Sequence, residues 1–479
     1  MREIAERALN AAQLNGASYA DVRVVSLRTQ SIAVKNGHVE ALAEDSSRGL
    51  GVRVLLDGAW GFASSSVVTL DEAAAVAEQA TRIARASTLV EGTAVELGPP
   101  EVHVARYATP FEIDPFAVSL EDKLGLLLEA DAEMRRVKGI AVTEGSMEFV
   151  REEKVFASTE GSHIEQQLLE SGAGIEATAI DEAEMQTRSF PNSFGRQQGK
   201  SGYEFIAGRE LPKHAQRIAD EAVALLHAPH CPSTITTLIL DSTQLALQVH
   251  ESCGHPTELD RVLGDEASFA GTSFLTLDKL GTFSYGSPQV NIYADATIPG
   301  ALGTFGFDDE GVPAQRSPIV KDGLFVGYLM SRETAASLGQ RSNGTMRADG
   351  WNRIPLIRMT NINLEPGDWT LDDLIADTED GIYMAVNKSW SIDDRRLNFQ
   401  FGTQLAYEIK NGRLGSMLKN ASYTGITPQF WQSCDAICDR HHWHVWGLPN
   451  CGKGEPIQSA HVAHGAAPAR FRNVRIGIG

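Results

Sequence analysis

The stretch His227-Ala-Pro-His-Cys-Pro-Ser233 carries two prolines and no apolar periodicity, so neither a helix nor a strand is expected to run through it. The character of the chain differs on its two sides. A length of 479 residues exceeds what one hydrophobic core usually serves. We therefore divide the chain here, into residues 1–228 and 229–479.

Upstream, Ile4, Ala5, Ala8, Leu9 and Ala12 recur at the period of one helical face, and Gly16 offers a stop. Alternating and β-branched residues predict strands over 20–25 and 31–35. Asn36-Gly37 and Asp57-Gly58 are dipeptides that tight hairpins need, the second closing 51–56 onto 60–63. Thr69 with Glu72 reads as a capping box opening a helix to about residue 86. The theme then returns: a helix from Ser119 to about 137, strands over 140–150 and 154–158, a Glu160-Gly161 turn, and a helix over 211–226. The expected class is α+β, with an N-terminal α+β domain of mixed sheets and helices. The repeated order is compatible with an internal duplication, although the two halves share no sequence identity.

Downstream, strand signals dominate, over 234–240, 290–294, 324–330, 354–364, 382–386 and 398–409, with turns at Asp322-Gly323 and Asn411-Gly412. This half is expected to be β-rich and barrel- or sandwich-like. One segment breaks the pattern. Asp241-Ser-Thr-Gln-Leu-Ala-Leu-Gln-Val-His-Glu-Ser-Cys-Gly-His255-Pro256 reads as a short helix capped by Asp241 or Ser242, with Leu245 and Val249 on its buried face and His250 and Glu251 in its last turn.

His250 and His255 are five residues apart. Regular helix turns about 500° over five residues, leaving the rings about 140° apart, so both reach one ion only if the last turn widens or breaks. Gly254 permits such a distortion, and Pro256 disfavours a helical conformation for His255. A catalytic zinc wants three protein ligands and an open fourth position. Cys451, in Leu448-Pro-Asn-Cys-Gly-Lys-Gly454, is the candidate third ligand, with Lys453 beside it to favour the thiolate. Glu251 is the candidate general base. Against this, His-Glu-x-x-x-His arises often by chance, and a lone cysteine is more often a small buried hydrophobe. A second cluster, Cys434, Cys438, His441, His442 and His444, has spacings that suit a structural zinc. The interleaved Trp431, Trp443 and Trp446 favour a packed aromatic loop near the cleft instead. His461 and His464, close to the C-terminus, are either hydrogen-bonding partners behind the metal ligands or without a role, and remain unassigned.

Composition narrows the partners. Lys and Arg number 42 against 62 Asp and Glu, a net charge of −20 that repels phosphate backbones and anionic lipid. No nucleic-acid or membrane partner is therefore expected. No apolar run approaches the length of a membrane span and the N-terminus lacks a signal-peptide core, so a cytoplasmic location is the expectation. Five irregularly spaced cysteines do not make a disulfide framework.

With these residues in hand, the chain resembles the TldD/PmbA (modulator of DNA gyrase) family, specifically its metal-bearing TldD branch. The likeness spans nearly the whole chain. It rests on Ala20-Asp-Val-Arg23, Gly49-Leu-Gly-Val-Arg-Val54 and Asp57-Gly-Ala-Trp-Gly-Phe-Ala63 upstream. Downstream it rests on His250-Glu-Ser-Cys-Gly-His255, Asp308-Asp-Glu-Gly311, Arg358-Met-Thr-Asn-Ile362, Glu365-Pro-Gly-Asp368 and Cys451-Gly-Lys453. The resemblance implies a zinc peptidase with one zinc per active subunit, held by His250, His255 and Cys451, with Glu251 catalytic. It implies cytoplasmic dimers, either homodimers or heterodimers with a metal-free PmbA/TldE-like paralogue, that cut unfolded or small peptides with little sequence preference inside a dimer cleft. Trp446-Gly-Leu-Pro-Asn450 departs from the glycine-rich run that often precedes the family's cysteine. Two alternatives remain: a non-catalytic peptide-binding or regulatory protein with a structural zinc, and a cysteine hydrolase using Cys253 or Cys451.

Overall fold

The computed structural model describes residues 1–90, 92–100, 102–269 and 271–477, with the side chain of Phe194 set aside. The first half is built on one sheet. Helix α1 (Arg2–Leu14) leads into strands β1 (Tyr19–Lys35), β2 (His38–Leu56) and β3 (Ala59–Ser65), followed by α2 (Leu70–Ser87), β4 (Val104–Ala108), α3 (Leu120–Arg135), β5 (Ile140–Ser158), β6 (His163–Ile180), β7 (Met185–Phe190), β8 (Gln197–Gly199) and α4 (Leu211–His227). The sheet runs β3-β2-β1-β5-β6-β4, with β7 and β8 also pairing with β6.

Where separate strands are read over 20–25 and 31–35, and again over 140–150 and 154–158, single strands of 17 and 19 residues run through. Polar residues interrupt the hydrophobic pattern without interrupting the ladder, because each is hydrogen-bonded across the β1–β5 pair. The hairpin turns form as read: Asn36 and Asp57 both take φ 48°. The Thr69 hydroxyl accepts from the Glu72 amide, the forward half of the box. Helices α1 and α2 cover one end of the sheet over an alanine- and valine-rich core, while α3 and α4 cover the other end over Met147, Phe149 and Ile175. One continuous sheet with a helix pair at each end explains the repeating order.

In the second half the strands β9 (Thr234–Leu240), β10 (Asp380–Ile392), β11 (Asn398–Lys410), β12 (Ser422–Ile426), β13 (Cys434–Ile437), β14 (His444–Lys453), β15 (Gln458–Ala466) and β16 (Ala469–Ile476) dominate. Strands β10, β9, β16, β12 and β11 close on themselves through the β10–β11 pair, forming a five-stranded barrel. It is mixed because β9 and β10 run parallel. The region read as strand over 324–330 keeps only Leu324–Phe325, and 354–364 keeps Leu356–Ile357 and Ile362–Leu364. Tyr328, Met330 and Met359 lie outside any ladder and are buried in the core they share with Leu245 and Val249, a burial that periodicity cannot distinguish from strand.

The two halves meet through charge. Arg53 on β2 donates to Asp21 at 2.7 and 3.0 Å and reaches Glu310 of the second half at 3.2 Å, all three side chains being buried. Lys154 on β5 pairs with Asp309 at 2.8 Å. The glycines of Gly49-Leu-Gly51 are required here: a Cβ on either would lie 2.2 Å from Trp351, meeting its ring at residue 49 and its carbonyl at residue 51. Replacing Arg53 by methionine leaves two buried carboxylates without their shared cation. The expected cost is about 3–5 kcal/mol, read as a lowered urea midpoint.

A second weak point sits on the sheet. Glu176 on β6 stands directly opposite Glu144 on β5. Burial, reinforced by Glu144, pushes its carboxyl up to about 7. A raised folded-state value gives stability that is complete below the unfolded value near 4.5 and is lost as pH climbs through 7. Glu176→Gln should therefore match the parent near pH 4 and exceed it by about 1–3 kcal/mol at pH 8. Urea titrations at the two pH values check this, and an equal difference at both would refute it.

Candidate metal centre

The centre is built on α5 (Ser242–Val249), which runs into a wider turn, His250–Gly254, and a tighter one, His255–Thr257. The Asp241 carboxylate accepts from the Thr243 amide at 2.9 Å and starts the helix. All eight residues of α5 are buried, so there is no single apolar face. The decisive bond is from the His255 amide to the His250 carbonyl, the i-to-i+5 pattern of a π turn. Widening by one residue brings position 255 back over position 250. The two rings stand 4.8 Å apart with planes at 82°.

The cause differs from the one expected in two respects. His255 is helical, at φ −55° and ψ −41°, so Pro256 does not swing it out. Instead Pro256 contributes no amide, and the Ser252 carbonyl, the partner that amide would have in an α-helix, accepts from the Tyr285 hydroxyl at 2.5 Å. Gly254 likewise sits at an ordinary φ of −76°, and its role is space: a Cβ there would lie 2.0 Å from the Met359 sulfur.

Cys451 arrives on β14, which pairs with β15 across a register shift between Leu448 and Cys451. Its Sγ lies 3.6 Å from His255 Nε2. Arg358 grips this strand end, donating to the carbonyls of Cys451 and of Gln458. The expected helper cation is displaced. Lys453 Nζ is bound to both Asp260 oxygens, at 2.7 and 2.8 Å, and to the Ile357 carbonyl. Burial opposes ionisation of the Cys451 thiol, but the His255 imidazole and the Arg358 guanidinium outweigh it and hold the thiol below its usual range. Burial pushes the His250 imidazole down to about 4, leaving it neutral and able to coordinate.

Among the described residues, His250, His255 and Cys451 are the grouping whose ligand atoms could hold one ion, all lying within 4.8 Å of one another. Glu251 follows directly, 5% exposed, with Oε2 accepting from Arg396 Nη1 at 2.6 Å. Arg396 takes a left-handed φ of 63°, held by its amide's bond to the Asp393 carbonyl and by the Thr427 hydroxyl on its own carbonyl. All five of these side chains but Arg396 are nearly inaccessible, yet together they line a cavity of about 250 Å³ that Trp446 and Trp390 also border.

The second cluster stays apart. Cys434 and Cys438 are buried, with thiols raised by desolvation, while His442 is bonded to Asp439 at 2.8 Å. Of the tryptophans, Trp446 reaches the cavity, whereas Trp431 and Trp443 anchor to Ser252 and to the Leu364 carbonyl. Cys253 is buried with its thiol pushed up to about 12, which disfavours it as a nucleophile. His461 turns away to Glu170 at 2.6 Å, and His464 turns in to His250 at 2.8 Å. Arg396 and Glu258, whose carboxylate accepts from His255 Nδ1 at 3.0 Å, escaped the sequence reading. Glu258 sits three residues after His255, a spacing that could have been noticed; no local signal marks Arg396.

An α+β fold that buries two imidazoles, a thiolate-prone cysteine and a carboxylate around one cavity has the donor set of a metal centre. Comparison with known proteins makes this particular. Residues 20–84 match domain 1 of the PmbA/TldA metallopeptidases, residues 113–226 the central domain, and residues 214–477 the C-terminal domain. The chain belongs to the PmbA/TldA metallopeptidase family. It is 31% identical to a metalloprotease of Methanocaldococcus jannaschii over 92% of this chain and 94% of that one. It is 27% identical to the metalloprotease TldD homolog of Haemophilus influenzae, over 96% and 92% respectively. The same fold occurs in a Thermotoga maritima protein described as a modulator of a DNA gyrase, at TM-score 0.77 and 18% identity over 99% of this chain and all of that one. It occurs again in TldE from Thermococcus kodakarensis, at TM-score 0.72 and 16% identity, covering 99% of each chain. No helix among the described residues is long and apolar enough to cross a membrane.

Proposed function

We propose that the protein is a zinc-dependent peptidase acting on unfolded or small peptides, with His250, His255 and Cys451 as ligands and Glu251 as general base. One observation carries the reading. Zinc bonds of about 2.3 Å to sulfur and about 2.05 Å to nitrogen, at a tetrahedral angle, separate the two donors by about 3.6 Å. The Cys451–His255 distance is 3.6 Å. This pair already stands at the separation that one ion between them requires, and all three ligand atoms lie within 4.8 Å of one another. Three protein ligands leave one position open, which supports a catalytic rather than a structural site and counts against the regulatory alternative.

Zinc bound there supplies Lewis-acid chemistry to the scissile carbonyl. Glu251 takes a proton from the attacking water as the carbon–oxygen bond forms, then returns it to the amine nitrogen as the carbon–nitrogen bond breaks. Arg396 orients the carboxylate through the 2.6 Å bond. Strand β14 pairs only with β15 among the described residues, and its Leu448, Asn450 and Gly452 border the cavity. An extended peptide adding beside it would be held by backbone groups, which accounts for weak sequence preference. A dimer whose second subunit closes the cleft, with an identical chain or a metal-free relative, belongs to the same proposal.

The test is digestion of an unfolded protein by purified enzyme with and without a chelator, followed by zinc addition. Cleavage that stops on chelation and returns with stoichiometric zinc is expected. Cleavage that persists without metal and stops on thiol alkylation would establish the cysteine-hydrolase alternative.

A further inference from the structure

We propose that His464 is a positioning residue that fixes which nitrogen of His250 faces the metal. The inference rests on reading His250, His255 and Cys451 as a metal site. It starts from a backbone carbonyl. His464 on β15 is 1% exposed, and its Nδ1 lies 3.0 Å from the Ile362 carbonyl oxygen, which can only accept. Nδ1 of His464 therefore carries hydrogen.

The other ring nitrogen of His464, Nε2, lies 2.8 Å from His250 Nδ1. Among the described residues no carboxylate bonds to this buried ring, and placing a positive charge there, beside a cation site, has no compensation. In the neutral ring Nε2 is an acceptor, so His250 Nδ1 is the donor. The proton order is then complete from Ile362 through His464 to His250. It leaves the lone pair of His250 on Nε2. His255 reaches the same state by another route, because its Nδ1 meets the Glu258 carboxylate at 3.0 Å and its Nε2 faces Cys451.

The two backing groups differ in kind, and that has consequences. Glu258 is itself tied to Arg261 at 3.3 Å, with Lys453 at 3.7 Å, so His255 is backed by a carboxylate embedded in charge. His250 is backed by an uncharged ring ending on a peptide carbonyl. His464 therefore orients its ligand without adding negative charge to the site, leaving the Cys451 thiolate as the single anion among the donors. The two rings meet edge to face, crossing at 79° with centroids 4.8 Å apart. The alternative account is that His464 only fills space.

Three variants separate these accounts. His464→Leu keeps bulk and removes the acceptor, while His464→Gln and His464→Asn keep an oxygen that can accept from His250 Nδ1. Zinc affinity, measured by competition against a chromophoric chelator, should fall about 10- to 100-fold in His464→Leu and recover most of that loss in at least one amide variant. The cobalt-substituted absorption spectrum should change shape in His464→Leu and return towards the parent in the rescuing amide. Nitrogen-15 spectra of the histidine-labelled apoprotein should show His250 as the Nδ1–H form in the parent and lose that preference in His464→Leu. A folded His464→Leu variant that binds zinc within threefold of the parent would overturn the proposal. So would a parent apoprotein with His250 in the Nε2–H form. The apoprotein spectra need neither zinc nor turnover, so loss of the peptidase reading would leave this result standing on its own.

Discussion

Glu251→Gln is expected to lower kcat on an unfolded peptide by about 10²- to 10⁴-fold while one metal per chain is retained. The glutamine oxygen can still accept from Arg396 Nη1, which stands 2.6 Å from the carboxylate in the parent, so the local structure is preserved and only the proton acceptor is lost. Alanine is a poorer probe. It would leave Arg396, 16% exposed at its side chain, without its anion beside a buried cavity, adding a stability cost to the catalytic one. The two substitutions should thus agree in lost turnover and disagree in urea midpoint. Turnover in Glu251→Gln within tenfold of the parent, at equal metal content, would remove Glu251 from the chemistry.

Cys451→Ser should act one step earlier, on the metal itself. A serine hydroxyl is not ionised near neutral pH, so the donor set loses its anion, and affinity should fall by more than the roughly 10- to 100-fold that an outer hydrogen-bond partner costs. After dialysis against a mild chelator the variant should be nearly metal-free where the parent retains one ion. The apoprotein should remain folded, because Arg358 holds the carbonyl of residue 451 and not its sulfur. Metal analysis beside a thermal melt distinguishes the two effects. Full occupancy with undiminished affinity in Cys451→Ser would place the sulfur outside the coordination sphere.

Much of the fold is legible in the residues because it depends on local rules. The hairpins at Asn36-Gly37, Asp57-Gly58, Asp322-Gly323 and Asn411-Gly412 follow from the φ each turn needs, and all eight residues take positive values. Thr69 and Ser119 cap the helices they precede, each accepting from the amide three residues on. The spacing of His250 and His255 demands an abnormal turn from geometry alone, and a π turn is what forms. The reason for it is not local. Gly254 is needed to admit Met359, and the carbonyl left by Pro256 is satisfied by Tyr285, contacts that arise only after the chain has folded.

The sequence by itself determined the tight turns and the capped helices, that the chain is α+β with a β-rich second half, and which two histidines and one glutamate share a helix end. These are consequences of propensity, periodicity and spacing, all carried within a few residues. Tertiary structure alone decided that five strands close into a barrel, that Arg358 rather than Lys453 steadies Cys451, that Arg396 faces Glu251, and that of two histidines three residues apart His464 turns to the site while His461 turns to Glu170. Each of those depends on strand register or on a charge delivered from a distant segment, and neither leaves a mark in the neighbouring residues.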